Sequence, residues 1–324
     1  MTSKIKGLKH IIYDLSRINE WWLISAGFVL FAFLPYTFMH HGRVLDIEMF
    51  RILFTDPAVY IALLIVFSAQ IFLFASNDYF DRDVDALDPG KRVRNPVCDG
   101  RVTLAGVRAL LIVTAIIPLI ASLYFGLLAF LFSALAMFIF YYYTAPPLRF
   151  KNKVFLDVLS HGLFVNTFPY FFCLVALMDF TVGTVFLLFA IMMRSTMAQM
   201  LQEIRDYHID SQVEKNTVVV LGQKRAIWVV FSVYIVLFTV TTCLMLSYEL
   251  FGWGIPMYYS IILILAISYI PIFRKLLKAK DYNREIERLW MGQGRTNRWQ
   301  VAQYFASFSI YFILVIFLII TGYS

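Results

Sequence analysis

The sequence predicts an all-α fold, an integral membrane bundle of about nine transmembrane helices with cytoplasmic cap loops. Three observations carry that expectation. The 324 residues are 60% hydrophobic and 15% charged, with a mean hydropathy of +0.73, against roughly 45 to 50% apolar and about 25% charged in soluble domains. A globule of this size cannot hide so much apolar surface, so lipid has to solvate much of it. The apolar residues also gather into runs of bilayer-spanning length, and the basic residues gather between alternate pairs of them.

The expected spans are 21-39, 57-76, 104-123, 125-144, 156-178, 181-201, 226-247, 253-273 and 301-321. The first is long, contains Pro35 and is followed by His40 and His41 with no small-residue cleavage site, so it reads as a retained helix. The second leads directly into the acidic run NDYFDRDVDALD. The fourth is stopped by Pro146-Pro147, which cannot continue a helix and stiffen its exit. The fifth carries Asp157, His161 and Asn166 at steps of four and five, a spacing that suits either a polar pocket or mutual hydrogen bonding between helices. The sixth contains Arg194 and leads into a second acidic run, QEIRDYHID. An intramembrane arginine is costly and either faces a partner inside the bundle or snorkels to the surface. A strongly basic loop, 275-300, separates the eighth span from the ninth.

Of the 28 Lys and Arg residues, all but Arg43, Arg51 and Arg194 lie in the amino-terminal segment or in the loops that follow even-numbered spans. The positive-inside rule then places the amino terminus and those loops in the cytoplasm and the carboxyl terminus outside. The formal charge of +7 is thereby a topology signal, and no nucleic-acid partner is expected. Three cysteines are too few for a disulfide framework. With no internal repeat and no long linker, residues 1-324 read as a single membrane domain.

The acids carry the functional signal. If the second helix continues through its acidic run, Asn77, Asp81 and Asp85 share one face at steps of four. Carboxylates so close together repel each other, so the arrangement makes electrostatic sense with a divalent cation among them. Magnesium prefers such oxygen ligands and completes its shell with water and substrate phosphate. Asp206 and Asp210 repeat the four-residue step, with Glu203 one turn earlier on the same side. Both clusters fall on the cytoplasmic side by the charge count.

At these residues the chain resembles the UbiA superfamily of intramembrane prenyltransferases. Asn77 to Asp85 matches its N-D-x-x-D-x-x-x-D motif and Asp206 to Asp210 its D-x-x-x-D motif. Arg94-Asn95-Pro96 through Gly100-Arg101-Val102-Thr103, and Tyr143 to Lys151, are similar to two further family segments, so the likeness covers essentially the whole chain. The resemblance implies a magnesium-dependent enzyme. It would ionise an allylic isoprenoid diphosphate in the lipid bilayer and transfer the chain to a lipophilic or aromatic acceptor, releasing diphosphate. It implies catalytic and metal-binding roles for Asp81, Asp85, Asp206 and Asp210, and metal contacts from Asn77 and Asp78, with a neighbouring structural role open for Asp78. Lys91, Arg94, Arg149 and Lys151 stand where the family has diphosphate-binding cations, though topology alone also accounts for basic residues there. Asn19, Tyr143, His161 and Arg194 are the candidates for the substrate pocket. The second motif, Asp-Tyr-His-Ile-Asp, lacks the small residue that many relatives carry before the last Asp, which leaves the acceptor open.

The 32 Phe and 19 Tyr would give a carbocation apolar walls and aromatic faces, or serve ordinary packing and interfacial belts. A transporter would hold its acids near midplane on broken helices, whereas these cluster at one surface. The nearer alternative is an intramembrane terpene cyclase of the same superfamily, which would ionise the diphosphate and close the chain on itself without an acceptor.

Overall fold

A computed structural model of the chain describes residues 10–44, 46–247 and 270–289, together with positions 309, 313 and 316. Helices form all of its regular structure among the described residues. The chain divides into two compact units, Met1–Phe180 and Thr181–Ser324.

In the first unit, a π-helical turn over His10–Leu15 precedes α1, Ile18–His40. A short helix that the span count did not anticipate follows, α2, Ile47–Thr55, capped by Asp46, whose side chain accepts from the Met49 N–H at 2.8 Å. It buries Met49 and Leu53 and leaves Ile47, Phe50 and Phe54 exposed. Next comes α3, Pro57–Asp85, with Pro57 at its first position and Asp56 as its cap. Its 29 residues rise about 43 Å, well beyond a hydrocarbon core of about 30 Å. The excess is the acidic end, so the helix continues unbroken through the motif.

A one-turn helix α4, Pro89–Arg94, is followed by α5, Leu104–Ser122, and α6, Leu127–Thr144. Gly126 turns the chain between these two at φ 101°, a conformation that favours glycine. Ala129, Ser133 and Ala136 are fully buried along α6, small residues that let helices approach closely where no water drives them together. The expected single span over 156-178 is a bent pair, corrected here to α7, Leu156–Ser160, running on as a π-turn over His161–Val165, and α8, Phe168–Leu177, at 55° to it. The cause is local. Pro169 has no N–H to offer the Val165 carbonyl four residues back, and Gln70 of α3 supplies the missing donor at 2.9 Å.

The second unit contains α9, Val182–Val213; α10, Thr217–Leu221; α11, Gln223–Ser247; a helical stretch over 270–278; and α12, Tyr282–Leu289. Like α3, α9 outruns the bilayer and carries its acidic motif on the excess. Five described helices are long and apolar enough to cross a membrane, and the bent pair makes a sixth. The expected span 226-247 lies within α11. Most of the eighth, 253-273, and nearly all of the ninth, 301-321, lie outside the described residues.

Candidate active site

The acidic end of α3 has a face of its own. Asp78, Asp81 and Asp85 are 0%, 3% and 8% exposed, at steps of three and four along one side of the helix. Asn77 is half-buried at the edge of that stripe, while the Asp83 side chain is 85% exposed and lies beside Arg82. Three buried carboxylates so close together need cations, and the rest of the unit provides them.

Arg17 forms an ion pair with Asp78, its guanidinium lying 5.7 Å from the centre of the Phe74 ring. Arg17 ends the amino-terminal turn in the left-handed region, φ 51°, which swings its side chain onto α3 at a cost of about 1 kcal/mol or more. Burial alone would lower the Arg17 pKa, but Asp78, Glu20 and Asp85 together carry it above the ordinary value. Asp78 Oδ2 and Arg17 Nε are buried without a hydrogen-bond partner among the described residues. Two further ion pairs hold the same segment down, Arg94 to Glu20 at 2.5 Å and Arg101 to Asp14 at 2.7 Å.

Asp81 is held on both oxygens. Arg149 Nη2 donates to Oδ1 at 3.0 Å and Lys151 Nζ lies 2.8 Å from Oδ2. Both cations follow the stop at Pro146-Pro147, and Arg149 turns through the left-handed region at φ 40°. Asp85 accepts from the Asn95 amide at 2.8 Å. Lys91 is half-buried in the first turn of α4, near Asp88, which caps that helix through the Gly90 and Lys91 N–H groups. Of the pocket candidates in this unit, Tyr143 and His161 are buried with ring centres 6.3 Å apart, and Asn19 is exposed beside Glu20.

In the second unit, α9 presents Gln199, Glu203, Asp206 and Asp210 along one side. Gln199 donates to Glu203 at 2.7 Å, and Arg205 grips both oxygens of Asp206 at 2.7 and 3.0 Å. Asp210, 8% exposed, accepts from Asn216 at 3.2 Å. Arg194 is half-buried, about three turns before Asp206 on the same helix.

Within the first unit, then, the fold gathers Asp78, Asp81, Asp85, Arg149 and Lys151 at one helix end, with Arg94 and Lys91 on the adjoining segment. Sequence reasoning left Asn95 without a role of its own and did not find the Arg17 to Asp78 pair. The signal for Asn95 was its place, a polar residue between Arg94 and Pro96 where α4 stops, and Asn216 stands in the same relation to the second motif.

The donor set suits magnesium. Among the described residues no three His, Cys, Asp or Glu side chains converge on one point, so protein alone would give a metal ion one or two carboxylates. That is the usual share for magnesium, whose remaining positions go to water and substrate phosphate. Arg149 and Lys151, already seated on Asp81, are placed to take phosphate oxygens beside it.

The pattern of the UbiA prenyltransferase family matches residues 29–293. A lycopene elongase/hydratase of Halobacterium salinarum is 36% identical over 157 residues, which are 48% of this chain and 51% of that protein. The chain therefore spans about half the length of the relative it matches in sequence. Among solved structures, a UbiA homologue from Archaeoglobus fulgidus bound to DMAPP and Mg2+ is similar with a TM-score of 0.63 at 19% identity, over 96% of each chain. A digeranylgeranylglyceryl phosphate synthase is similar with a TM-score of 0.62 at 15% identity, over 99% of each. At these identities the likeness is one of fold.

Proposed function

The chain belongs to the UbiA prenyltransferase family, and on that premise we propose that it transfers an isoprenoid chain from an allylic diphosphate to a lipophilic acceptor through a magnesium-bound diphosphate. The observation that carries this reading is Asp81 with Arg149 on one oxygen and Lys151 on the other. Carboxylate for metal and cations for phosphate stand at one point.

Asp81 and Asp85, with Asn77 at the edge, would hold magnesium in the first unit, and Asp206 and Asp210 in the second. When bound, the metal supplies charge that stabilises diphosphate as a leaving group. Arg149 and Lys151 do the same directly, gaining most as the allylic carbon to oxygen bond breaks and its electron pair moves onto diphosphate. Lys91 and Arg94 add positive field on the adjoining segment, Arg94 exchanging Glu20 for phosphate. Asp78 differs from its neighbours: neutralised by Arg17 and fully buried, it anchors the motif helix. The cation left on the isoprenoid is then attacked by the π-electrons of the acceptor, a new bond forms, and a proton leaves or water adds. Tyr143 and His161, buried and adjacent, would line the acceptor side in the first unit, with Asn19 as a further candidate there, and Arg194 is the candidate substrate contact of the second unit. The likeness to the lycopene elongase/hydratase of Halobacterium supports a long polyene as the acceptor. The distribution of basic residues supports a site on the cytoplasmic side.

The test is diphosphate release by the purified protein from allylic diphosphates of graded length, with magnesium or with chelator, and with a lycopene-type polyene or a lipid extract. Magnesium-dependent release together with a prenylated acceptor in the mass spectrum is expected. An acceptor-independent cyclic product would replace transfer by cyclisation, and no release from any donor would overturn the reading.

A further inference from the structure

The last aspartate of each motif is braced by an asparagine from the segment that follows it. Asn95 is fully buried, and its Nδ2 donates to Asp85 Oδ2 at 2.8 Å and to the main-chain carbonyl of Asp78 at 2.9 Å. Its Oδ1 accepts from the Val97 N–H at 3.0 Å. Two acceptors on one side and a donor on the other leave a single assignment of the amide. Its own N–H donates to the Lys91 carbonyl at 2.8 Å and its carbonyl accepts from Cys98 at 3.1 Å, so every polar group it has is committed.

Asn216 repeats the device in the second unit. It is 2% exposed, its Nδ2 donates to Asp210 Oδ2 at 3.2 Å, and its Oδ1 caps α10 through the Val219 N–H at 2.8 Å. In both places one face of the amide is locked to backbone and the other reaches a carboxylate, ten residues back in the first case and six in the second.

The choice of side chain matters. A carboxylate at a helix end turns easily about its last torsion, and one N–H on one oxygen fixes it while using only one of about four lone-pair sites. An arginine or lysine, such as those on Asp81 and Asp206, fixes a carboxylate too but brings positive charge with it, whereas an amide brings none. Outer hydrogen-bond partners of metal ligands typically govern affinity about 10- to 100-fold. We propose that Asn95 and Asn216 are matched positioning residues, each orienting the final aspartate of its motif for magnesium through an uncharged donor. The inference rests on the reading of Asp85 and Asp210 as magnesium ligands.

The experiment titrates the purified full-length protein, in the presence of inorganic diphosphate, with Mn2+ as a spectroscopically visible stand-in for magnesium, and measures kcat for diphosphate release at saturating magnesium. Asn95→Ala and Asn216→Ala are each expected to raise the Kd for Mn2+ by about tenfold or more while kcat at saturation stays close to that of the parent. A purely structural lesion would instead lower melting temperature and kcat and leave Kd unmoved, and that result overturns the proposal. Should the alanine variants fail to fold, Asn95→Ser and Asn216→Ser retain one donor and should give a smaller rise in the same Kd. Parent-like affinity in the serine variants, or failure of every variant to fold, also overturns it. Asp85→Asn run in parallel separates the two layers. An unchanged Kd there overturns the metal-site reading itself, whereas a raised Kd there with none in the asparagine variants overturns only the positioning role.

Discussion

The two acidic helix ends draw their counter-charges over very different reaches of chain. On α3 the partners are distant in sequence, Arg17 being 61 residues from Asp78 and Arg149 68 residues from Asp81. On α9, Arg205 holds the adjacent Asp206, and Asn216 reaches Asp210 from six residues away. The first cluster is thus assembled by the folding of a whole unit, from α1, α3 and the segment after α6. In the second, the hydrogen bonds that Arg205 and Asn216 give to Asp206 and Asp210 come from the same helix and the turn that follows, with Glu287 of α12 adding its charge at Arg205. Counter-charges brought from afar expose a cluster to damage from remote substitutions, whereas the Arg205 and Asn216 contacts are broken chiefly by changes close by in sequence.

The largest effect should come from the carboxylates. Asp81→Asn is expected to lower diphosphate release at least about hundredfold, the scale of losing a group that acts on developing charge, with the protein still monodisperse in detergent. Asp206→Asn should do the same. Full turnover in the Asp206 variant beside a dead Asp81 variant would break the two-cluster reading and leave the chemistry to the first unit alone.

Next in size is a stability contrast. Arg17→Ala strands Asp78, 0% exposed and already lacking a partner on Oδ2 among the described residues. Removing one member of such a buried pair costs about 3 to 5 kcal/mol. Asp206 is already 15% exposed beside Arg205 and within reach of water, so Arg205→Ala should cost about 1.5 to 3 kcal/mol, as for a lost hydrogen bond to a charged group. Melting curves in detergent decide it, and equal losses would erase the distinction between assembled and local clusters. Smaller again, Arg149→Ala should weaken diphosphate binding by about tenfold, the loss of one charge-assisted contact, and leave acceptor binding alone. An effect confined to the acceptor would show that Arg149 serves the other substrate.

What was legible in the sequence follows the same line. The spacing of Asp81, Asp85, Asp206 and Asp210 could be read because helical periodicity is a local rule, and the stop after Thr144 could be read because Pro146-Pro147 acts locally too. Hydropathy ended the second span at residue 76, whereas α3 runs to Asp85, because a helix satisfies its own backbone and needs no apolar side chains once it leaves the lipid. The bend within 156-178 turned on Pro169 together with a donor from Gln70, 95 residues from the carbonyl it serves. The Arg17 to Asp78 pair was hidden for the same reason. Nothing in the local pattern around Arg17 tells a buried counter-ion from a topology marker, because the difference lies in what α3 presents to it.

The finest probe of the assembled cluster is a thiol inside it. Cys98 donates to the Arg82 carbonyl at 3.1 Å, and burial, reinforced by the negative charge of Asp85, Asp78 and Asp99, pushes its pKa up to about 11. Since the thiolate is the reactive form, only about one Cys98 in a thousand is ready to react at pH 8, against roughly one in four for an unperturbed thiol. In a background with Cys173 and Cys243 replaced by alanine, maleimide labelling should be slow at pH 8 and should climb steadily with pH toward 11. Asp85→Asn removes the largest of the charges acting on the sulfur and should speed labelling at fixed pH without changing that slope. An unchanged rate in the Asp85 variant would mean that burial alone holds the thiol neutral. The field of the α3 carboxylates would then stop short of the loop that braces them.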